Sequence, residues 1–319
     1  MHLLLSRTRN SSEFSALHLP ADYALVLGAS GFIGSEVLLS VARKQIGLVA
    51  GVHRHAIAAT NVASLQIDLR TYDWTQLQAH PPKYIIHLGR IPGRWPLTRK
   101  IAGWQGRVAS NRMMRWLRSL NRSPHVVFVS GTLVYGNRPG VETDETAPLN
   151  PISFQRSYVK AEYPFIEAMK QGVPISIVRA PWVVGPGSWF RQFYMGWYRK
   201  TGTIPLFGSG KQLMSLIHVA DCGRLIGDIA LQEPGGGVYN LYSGAPIRHE
   251  EFCVLLADLL NARVEQVSES DLDSRFGKTV REALTFSLHA VSCQQIVQAS
   301  DRLYPQAADA IRASVQALG

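Results

Sequence analysis

The sequence predicts an α/β protein with a doubly wound parallel sheet and a smaller C-terminal α/β lobe. Short apolar runs alternate with stretches of helical apolar spacing, several of these runs end in glycine, and the first leads into a glycine-rich turn that opens a helix. Apolar runs without polar alternation are typical of strands buried on both faces, as in a parallel sheet. The length of 319 residues and the hydrophobic content of 46% are enough for a large core.

The predicted elements follow one another in strand and helix order. Strands are expected at 23–27, 48–52, 64–67, 84–88, 125–129 and 175–178, and helices at 32–41, 74–79, 104–120, 157–170, 250–260 and within the last thirty residues. The predicted organisation is an N-terminal extension at 1–20, a first domain at 21–180 and a second lobe at 181–319. Residues 216–245 are expected to return to the first domain.

Composition narrows the functional classes. The three cysteines are scattered without CxxC spacing and the ten histidines show no paired ligand spacing, so no metal site is predicted and a reducing cytoplasm fits. No apolar run of about 18 residues is present, which argues against a transmembrane helix.

A basic segment accounts for most of the net charge of +10. Residues 90–122 contain nine cations and no Asp or Glu. A solvated helix face explains this pattern, and attraction of an anionic partner, nucleotide or lipid surface is the alternative. Because no nucleic-acid-binding module is readable, nucleic acid is not predicted as a partner.

The turn after the first strand reads Gly28-Ala29-Ser30-Gly31-Phe32-Ile33-Gly34. Glycines at this spacing let the backbone approach a pyrophosphate, and the unpaired N–H groups of the following helix favour an anion. The position between a strand and a helix predicts a Rossmann-type dinucleotide site. We expect Gly28, Ser30, Gly31, Phe32, Ile33 and Gly34 to line it; a plain glycine turn is the alternative.

The residues after the second strand favour NADP(H). That strand is followed by His53 and Arg54, where an NAD site commonly has an acid for the ribose hydroxyls. We expect Arg54 to contact the 2′-phosphate with His53 assisting, while NAD(H) and a solvent-exposed Arg54 remain alternatives. Asp68 is expected either to accept a hydrogen bond from adenine, with Leu69 beside it, or to cap a helix.

In these and further motifs, the chain resembles the extended short-chain dehydrogenase/reductases, the group that includes nucleotide-sugar epimerases and dehydratases. The matching pieces run nearly end to end: Gly28 to Gly34, Asp68-Leu69, His87-Leu88-Gly89, Ser130 to Gly136, Asp144 to Pro151, Lys160-Ala161-Glu162, Arg179 to Gly187, Gly208 to Asp221 and Val238-Tyr239-Asn240. The resemblance implies that Leu88, Gly89, Ser130, Lys160 and Pro181 also contribute to the cofactor site.

The resemblance further implies a Tyr and a Lys four residues apart, with a hydroxyl residue from the preceding strand end. Lys160 matches the lysine, but Arg156 stands in place of the tyrosine and Gly131 in place of the hydroxyl. Tyr158 lies about 200° from Lys160 on a regular helix, so only an irregular helix brings the two to one face. Thr132 and Tyr158 are the candidate substitutes.

The substrate side also departs from the nucleotide-sugar pattern, because Met214 stands where an arginine usually contacts the diphosphate. The aromatic stretch 189–200 suits either an apolar or aromatic substrate or a hydrophobic core.

An NADP(H)-dependent oxidoreductase, epimerase or dehydratase acting on a small carbonyl or hydroxyl compound is the first hypothesis. A catalytically degenerate NADP(H)-binding regulator is the second. A homodimer through the helix at 104–120 is left open, since its arginines would face each other across a twofold axis.

Overall fold

The computed structural model of the chain describes residues 22–53, 57, 62–233 and 235–318. The predicted extension at 1–20 and the predicted phosphate contact Arg54 lie outside the described residues.

Elements of the first half follow the predicted strand and helix order. They are β1 (Tyr23–Leu27), α1 (Phe32–Ala42), β2 (Gly47–Val52), β3 (Ala63–Gln66), a 3₁₀ turn (Trp74–Leu77), β4 (Tyr84–His87), α2 (Pro96–Arg118), β5 (His125–Gly131), a second 3₁₀ turn (Thr132–Tyr135), β6 (Glu142–Thr143), α3 (Gln155–Tyr158), a third 3₁₀ turn (Val159–Ala161), α4 (Tyr163–Lys170) and β7 (Ile175–Ala180).

Shorter strands and helices make up the second half. They are β8 (Trp182–Val184), a π-helical turn (Arg191–Met195), α5 (Gly196–Thr201), β9 (Thr203–Phe207), β10 (Leu213–Met214), β11 (Leu216–His218), α6 (Val219–Ala230), β12 (Gly237–Asn240), β13 (Ile247–Arg248), α7 (His249–Leu260), β14 (Arg263–Val267), α8 (Glu269–Phe276), α9 (Lys278–Thr285), β15 (His289–Ala290), α10 (Gln295–Gln298) and α11 (Ala307–Gln316).

The central sheet has seven strands in the order β12-β7-β5-β4-β1-β2-β3. Adjacent strands from β5 to β3 pair in parallel, with Leu27 opposite Gly51 and Val52 opposite Gln66. Every residue of β1 and β4 is buried, which is the reason for their uninterrupted apolar sequence. The predicted doubly wound α/β fold is confirmed, and the register places the carboxyl ends of β1, β2 and β3 at one edge.

The chain divides into two compact units. The first comprises the described residues up to Ser130 with Ser157–Val178 and Gly223–Val238; the second comprises Gly131–Arg156, Arg179–Cys222 and the residues from Tyr239 onward. These limits differ from the expected ones, since 131–156 belongs to the second unit and the return to the first unit covers a shorter stretch. The chain leaves the first unit at the last residue of β5, where no compositional change marks the boundary.

Helix α2 begins eight residues earlier than the predicted start at Trp104. Pro96 occupies its first turn, where the missing N–H of proline costs no hydrogen bond. The hydroxyl of Thr98 accepts a hydrogen bond from the Trp95 N–H at 2.8 Å and thereby caps the start. Among the described residues, no helix combines the length and the apolar composition that crossing a bilayer requires.

The aromatic stretch 189–200 contributes mainly to the core of the second unit. Phe190, Tyr194 and Trp197 are buried there, while Trp189 is half-buried. The Tyr194 hydroxyl lies 2.6 Å from His249 Nε2. The core interpretation therefore holds for the three buried rings.

Candidate functional site

The glycine loop joins β1 to α1 through a conformation that only glycine adopts easily. Gly28 has a φ of +80°, and its N–H donates to the Gly51 carbonyl at 3.0 Å, which ties the loop to β2. The Gly31 N–H then donates back to the Gly28 carbonyl at 2.9 Å and closes the turn. The loop is thus a fixed, tight connection.

Two of the glycines allow backbones to approach too closely for a side chain. A Cβ on Gly34 would lie 2.2 Å from the Gly28 carbonyl oxygen, and a Cβ on Gly28 would lie 3.0 Å from the Gly89 nitrogen. The first contact presses α1 against the loop, and the second brings the ends of β1 and β4 together. Both contacts are with backbone atoms, which cannot move aside as a flexible side chain can.

The start of α1 is suited to an anion. Gly31 is the N-cap and offers no side-chain cap, and the first turn contains no acid. Within the described chain, the backbone N–H groups of Phe32 and Ile33 have no hydrogen-bond acceptor. Ser30 and Gly31 are exposed. Unpaired N–H groups and the helix dipole together favour a phosphate at this end.

A polar cluster lies at the ends of β2 and β3. Asp68 Oδ2 is 3.5 Å from His53 Nε2 and 2.8 Å from Arg70 Nη2. The hydrogen bonds from Arg70 lower the pKa of Asp68 to about 2. Asp68 does not cap the following 3₁₀ turn; Asp73 does so by accepting from the Thr75 N–H at 3.0 Å. The sequence analysis missed Arg70, although an Asp and an Arg two residues apart were a readable signal.

Leu88 and Gly89 lie beside the glycine loop, and the Leu69 side chain lies against Gly89. The Leu88 N–H donates to the Leu27 carbonyl at 2.9 Å, which continues the β1–β4 pairing. A Cβ on Gly89 would lie 2.9 Å from a Leu69 methyl carbon, so the Leu69 side chain covers this glycine. The Leu69 carbonyl in turn accepts from Arg112 Nη2 at 2.8 Å.

The helix that carries Lys160 is broken into α3, a 3₁₀ turn at Val159–Ala161 and α4. Lys160 and Arg156 are exposed, whereas Tyr158 is buried. Lys160 makes no hydrogen bond or ion pair with another described residue. A Cβ on Gly103 of α2 would lie 2.1 Å from the Ser157 carbonyl oxygen, so α2 touches the broken segment closely. The break in the helix therefore leaves Tyr158 buried and Lys160 exposed.

The hydroxyl of Tyr158 contacts the loop after β4. It accepts from the Gly93 N–H at 3.1 Å and donates to the Gly93 carbonyl at 3.2 Å. The Arg90 guanidinium lies 4.6 Å from the centre of the Tyr158 ring. Tyr158, the candidate substitute for the family's tyrosine, therefore contacts both ends of the segment 90–93.

Ser130 is hydrogen-bonded to a buried acid that the sequence analysis did not single out as a site residue. Its hydroxyl donates to Glu162 Oε2 at 2.6 Å, and Glu162 has no exposed surface. The two residues are 32 positions apart, so only the fold brings them together. A short hydrogen bond to a buried carboxylate is stronger than one between neutral groups.

Replacing Ser130 with alanine is expected to lower the free energy of unfolding by about 1–3 kcal/mol, because a buried carboxylate loses a donor. Thermal and urea unfolding followed by circular dichroism measure the change. Ser119→Ala is the control: its hydroxyl bonds to the Trp116 carbonyl on the exposed end of α2. Equal effects of the two substitutions would contradict the role assigned to Glu162.

Thr132 and Pro181 belong to the second unit. Thr132 is buried at the start of the 3₁₀ turn after β5, and Pro181 is half-buried between β7 and β8. In the same unit the Tyr135 hydroxyl donates to Asn240 Oδ1 at 2.7 Å and accepts from Arg179 Nη1 at 2.8 Å. The described residues contain no group of three or more His, Cys, Asp or Glu side chains placed to hold a metal ion.

A match to a protein-family model identifies the family of this chain. The model described as the NAD dependent epimerase/dehydratase family matches residues 24–241. The chain belongs to this family. The predicted resemblance to the extended short-chain dehydrogenase/reductases is thereby confirmed, and the matched range includes the glycine loop and Lys160.

Proteins of similar sequence occur in a bacterium and in yeast. Protein YeeZ of Escherichia coli K12 is 31% identical over 163 residues, which are 50% of this chain and 54% of that protein. The chain thus spans about half the length of this relative. The uncharacterized protein YLL056C of Saccharomyces cerevisiae is 26% identical over 263 residues, covering 79% of this chain and 85% of that protein.

Several solved structures share the fold of this chain. The human epimerase family protein SDR39U1, crystallised with NADPH, superposes with a TM-score of 0.74 at 17% identity, covering 92% of this chain and 99% of the other. MoeE5 in complex with UDP-glucuronic acid and NAD gives a TM-score of 0.74 at 22% identity, covering 92% and 98%. At these identities the likeness extends to the fold alone.

Proposed function

We propose that this epimerase/dehydratase family member binds NADP(H) at its glycine loop. In this proposal it carries out oxidoreductase, epimerase or dehydratase chemistry on a small carbonyl or hydroxyl compound. The observation that carries the proposal is the uncapped start of α1, where the N–H groups of Phe32 and Ile33 lack acceptors and no acid lies in the first turn. A dinucleotide pyrophosphate fits such a site.

The chain offers residues for each part of the cofactor. Gly28, Ser30, Gly31 and Gly34 would hold the pyrophosphate, while His53, Arg54, Asp68 and Leu69 would surround the adenosine. Leu88, Gly89, Ser130, Lys160 and Pro181 are proposed for the nicotinamide half. A bound nicotinamide ring supplies or accepts a hydride. Lys160, exposed and without a described partner, is proposed to hold the ribose, with Thr132 and Tyr158 as candidates for the reacting oxygen.

We propose a substrate other than a nucleotide sugar. Met214 stands in place of the usual arginine and is buried in the core of the second unit, so it offers no charge to a diphosphate. An apolar or aromatic compound suits the half-buried Trp182 and Trp189, whose ring centres lie 4.5 Å apart.

A second candidate function is a regulator that binds NADP(H) without turning it over. The observation in its favour is that, among the described residues of the site, no tyrosine is available to transfer a proton. The family's tyrosine position is occupied by the exposed Arg156, and the hydroxyl of Tyr158 is hydrogen-bonded to the Gly93 backbone. A screen of small carbonyl compounds with NADPH, followed by absorbance at the nicotinamide band, distinguishes the two functions. Cofactor oxidation supports the enzyme, whereas tight binding without oxidation supports the regulator.

Titration of the purified protein with NADPH and NADH, followed by fluorescence, tests the cofactor proposal. Arg54→Asp is expected to weaken NADPH binding by about tenfold or more and NADH binding by less than about threefold, because only NADPH carries the 2′-phosphate. Arg43→Asp, at an exposed arginine after α1, is the charge-matched control and is expected to change neither affinity. Absence of binding by either nucleotide would contradict both candidate functions.

We also propose that the chain forms a homodimer through α2. Leu97, Ile101, Trp104 and Val108 form an exposed apolar stripe opposite the buried face of this helix, with Trp104 62% exposed. Two of the arginines that would oppose a twofold partner are bonded elsewhere. Arg112 donates to the Leu69 carbonyl, and Arg118 donates to Gln171 Oε1 at 2.7 Å. The expected charge conflict is thereby reduced.

Trp104→Glu is expected to shift the protein from dimer to monomer, since it places a charge in the centre of the apolar stripe. Sedimentation equilibrium at micromolar concentration measures the change. Val254→Glu, at an exposed apolar residue of α7, is the control and is expected to leave the mass unchanged. A wild-type protein that sediments as a monomer would contradict the proposal.

A further inference from the structure

One of the nine cations in the basic segment 90–122 is directed into the protein. Arg112, on α2, is half-buried, and its Nη2 donates to the Leu69 carbonyl at 2.8 Å, across 43 positions of sequence. Its Nε is buried and has no hydrogen-bond acceptor among the described residues. The guanidinium is therefore inserted between α2 and the loop after β3, which is not the place of a solvated surface charge.

The loop that receives this hydrogen bond is a tight turn. The Tyr72 N–H donates to the Asp68 carbonyl at 2.8 Å and closes it. Just after the turn, the Trp74 ring stacks on Trp116 of α2, with the ring centres 5.5 Å apart. The loop is thus attached to α2 by an aromatic contact after the turn and by the Arg112 hydrogen bond within it.

Leu69 connects this turn to the candidate cofactor site. A Cβ on Gly89 would lie 2.9 Å from a Leu69 methyl carbon, and a Cβ on Gly28 would lie 3.0 Å from the Gly89 nitrogen. Leu69, Gly89 and the start of the glycine loop are therefore in successive close contact. Because a peptide unit is planar, a hydrogen bond to the Leu69 carbonyl fixes the orientation of the whole unit that joins residues 69 and 70. It thereby helps to keep the Leu69 side chain over Gly89.

We infer that Arg112 is a positioning residue for the adenosine half of a bound dinucleotide. The inference rests on the proposed cofactor site, in which Leu69 lies beside the adenosine. Arg112 acts through Leu69: it holds this residue against Gly89, so that the surface for the adenosine is formed before the dinucleotide binds. Without the hydrogen bond the turn samples more conformations, and binding of the adenosine half must then order it at a cost in affinity.

A neighbouring arginine separates this role from a general attraction of anions by the basic segment. Arg115 lies about one turn further along α2 and is exposed. It carries the same charge as Arg112, and long-range attraction of an anionic ligand would depend on the two charges in a similar way. Arg115 is therefore a charge-matched control that lacks the contact with Leu69.

The test measures the dissociation constants of NADPH, adenosine 2′,5′-bisphosphate and inorganic pyrophosphate by calorimetry. For Arg112→Gln we expect about a tenfold loss of affinity for NADPH and the bisphosphate. For pyrophosphate, which would occupy only the start of α1, we expect less than a twofold loss. Arg115→Gln is expected to change each affinity by less than about twofold.

Arg112→Lys is a second variant, which keeps the charge and lacks the forked donor geometry of arginine. It is expected to lose at least about threefold in affinity for the bisphosphate. Melting curves check that each variant is folded. If Arg112→Gln does not fold, Arg112→Lys decides between the same outcomes.

The outcomes separate this inference from the cofactor proposal. If the wild type binds neither NADPH nor the bisphosphate, the proposed function fails and the inference with it. If the wild type binds NADPH and both Arg112 variants keep wild-type affinity, the cofactor proposal stands and the inference is overturned. An equal loss for pyrophosphate and the bisphosphate, or an equal loss in Arg115→Gln, would also overturn it, because charge or a global change of structure would then be the cause.

Discussion

Gly34→Ala is expected to reduce NADPH affinity at least about a hundredfold and to lower the free energy of unfolding by about 1–3 kcal/mol. The added Cβ would lie 2.2 Å from the Gly28 carbonyl oxygen and 3.0 Å from Ala29 backbone atoms. Because all of these are backbone atoms of the loop itself, α1 must move away from β1. The N–H groups of Phe32 and Ile33 then no longer point where a pyrophosphate fits. Fluorescence titration and thermal unfolding measure the two effects.

Gly196→Ala is the matched control for this substitution. Gly196 also lies in the first turn of a helix, but its Cβ would meet only the Arg191 carbonyl oxygen at 3.5 Å, an ordinary contact. We expect unchanged NADPH affinity and equal or slightly greater stability, since alanine favours helix. Retention of wild-type affinity by Gly34→Ala would contradict the account of the loop.

The second large effect concerns pH. His87 is buried against the rings of Phe128 and Phe165, and burial lowers its pKa from 6.5 to about 4. In the unfolded chain the His87 ring therefore takes up a proton below about pH 6.5, whereas in the folded chain it does so only near pH 4. Stability associated with the neutral ring is present above pH 6.5 and is lost as the pH falls toward 4. Over this range the loss is about 3 kcal/mol.

Urea unfolding of wild type and His87→Phe at pH 7 and pH 4.5 measures this linkage. We expect the variant to lose less stability between the two pH values than the wild type, because phenylalanine takes up no proton. Phe128→Leu removes packing from the same cluster without a titratable group, so it is expected to reduce stability equally at both pH values. Parallel pH profiles of wild type and His87→Phe would show that His87 does not carry the effect.

The site residues that the sequence predicts are marked by local features of the sequence. The glycine loop was readable because positive φ at Gly28 and the close approach at Gly34 are requirements that only glycine meets, and both fall within seven residues of a strand end. The central strands were readable for a similar reason. Burial on both faces leaves an uninterrupted apolar run, as in β4.

Contacts between distant segments accounted for what the sequence analysis missed. Ser130 and Glu162 meet only in the folded chain. The helix around Lys160 is broken where Ser157 lies against Gly103 of α2, which no periodicity in 157–170 reveals. The sequence suggests Tyr158 as a substitute for the family's tyrosine, whereas in the structure its hydroxyl is hydrogen-bonded to the Gly93 backbone. Propensity and spacing carry no information on such pairings.

Amide hydrogen exchange with and without NADPH tests the central claim most directly, because it locates the bound cofactor on the chain. With saturating NADPH, peptides covering 28–37 are expected to exchange more slowly than in the free protein, since the unpaired N–H groups at the start of α1 gain acceptors. Peptides of the exposed α7 surface serve as the internal control and are expected to be unchanged. Binding of NADPH without added protection at 28–37 would contradict the assignment of the glycine loop as the cofactor site.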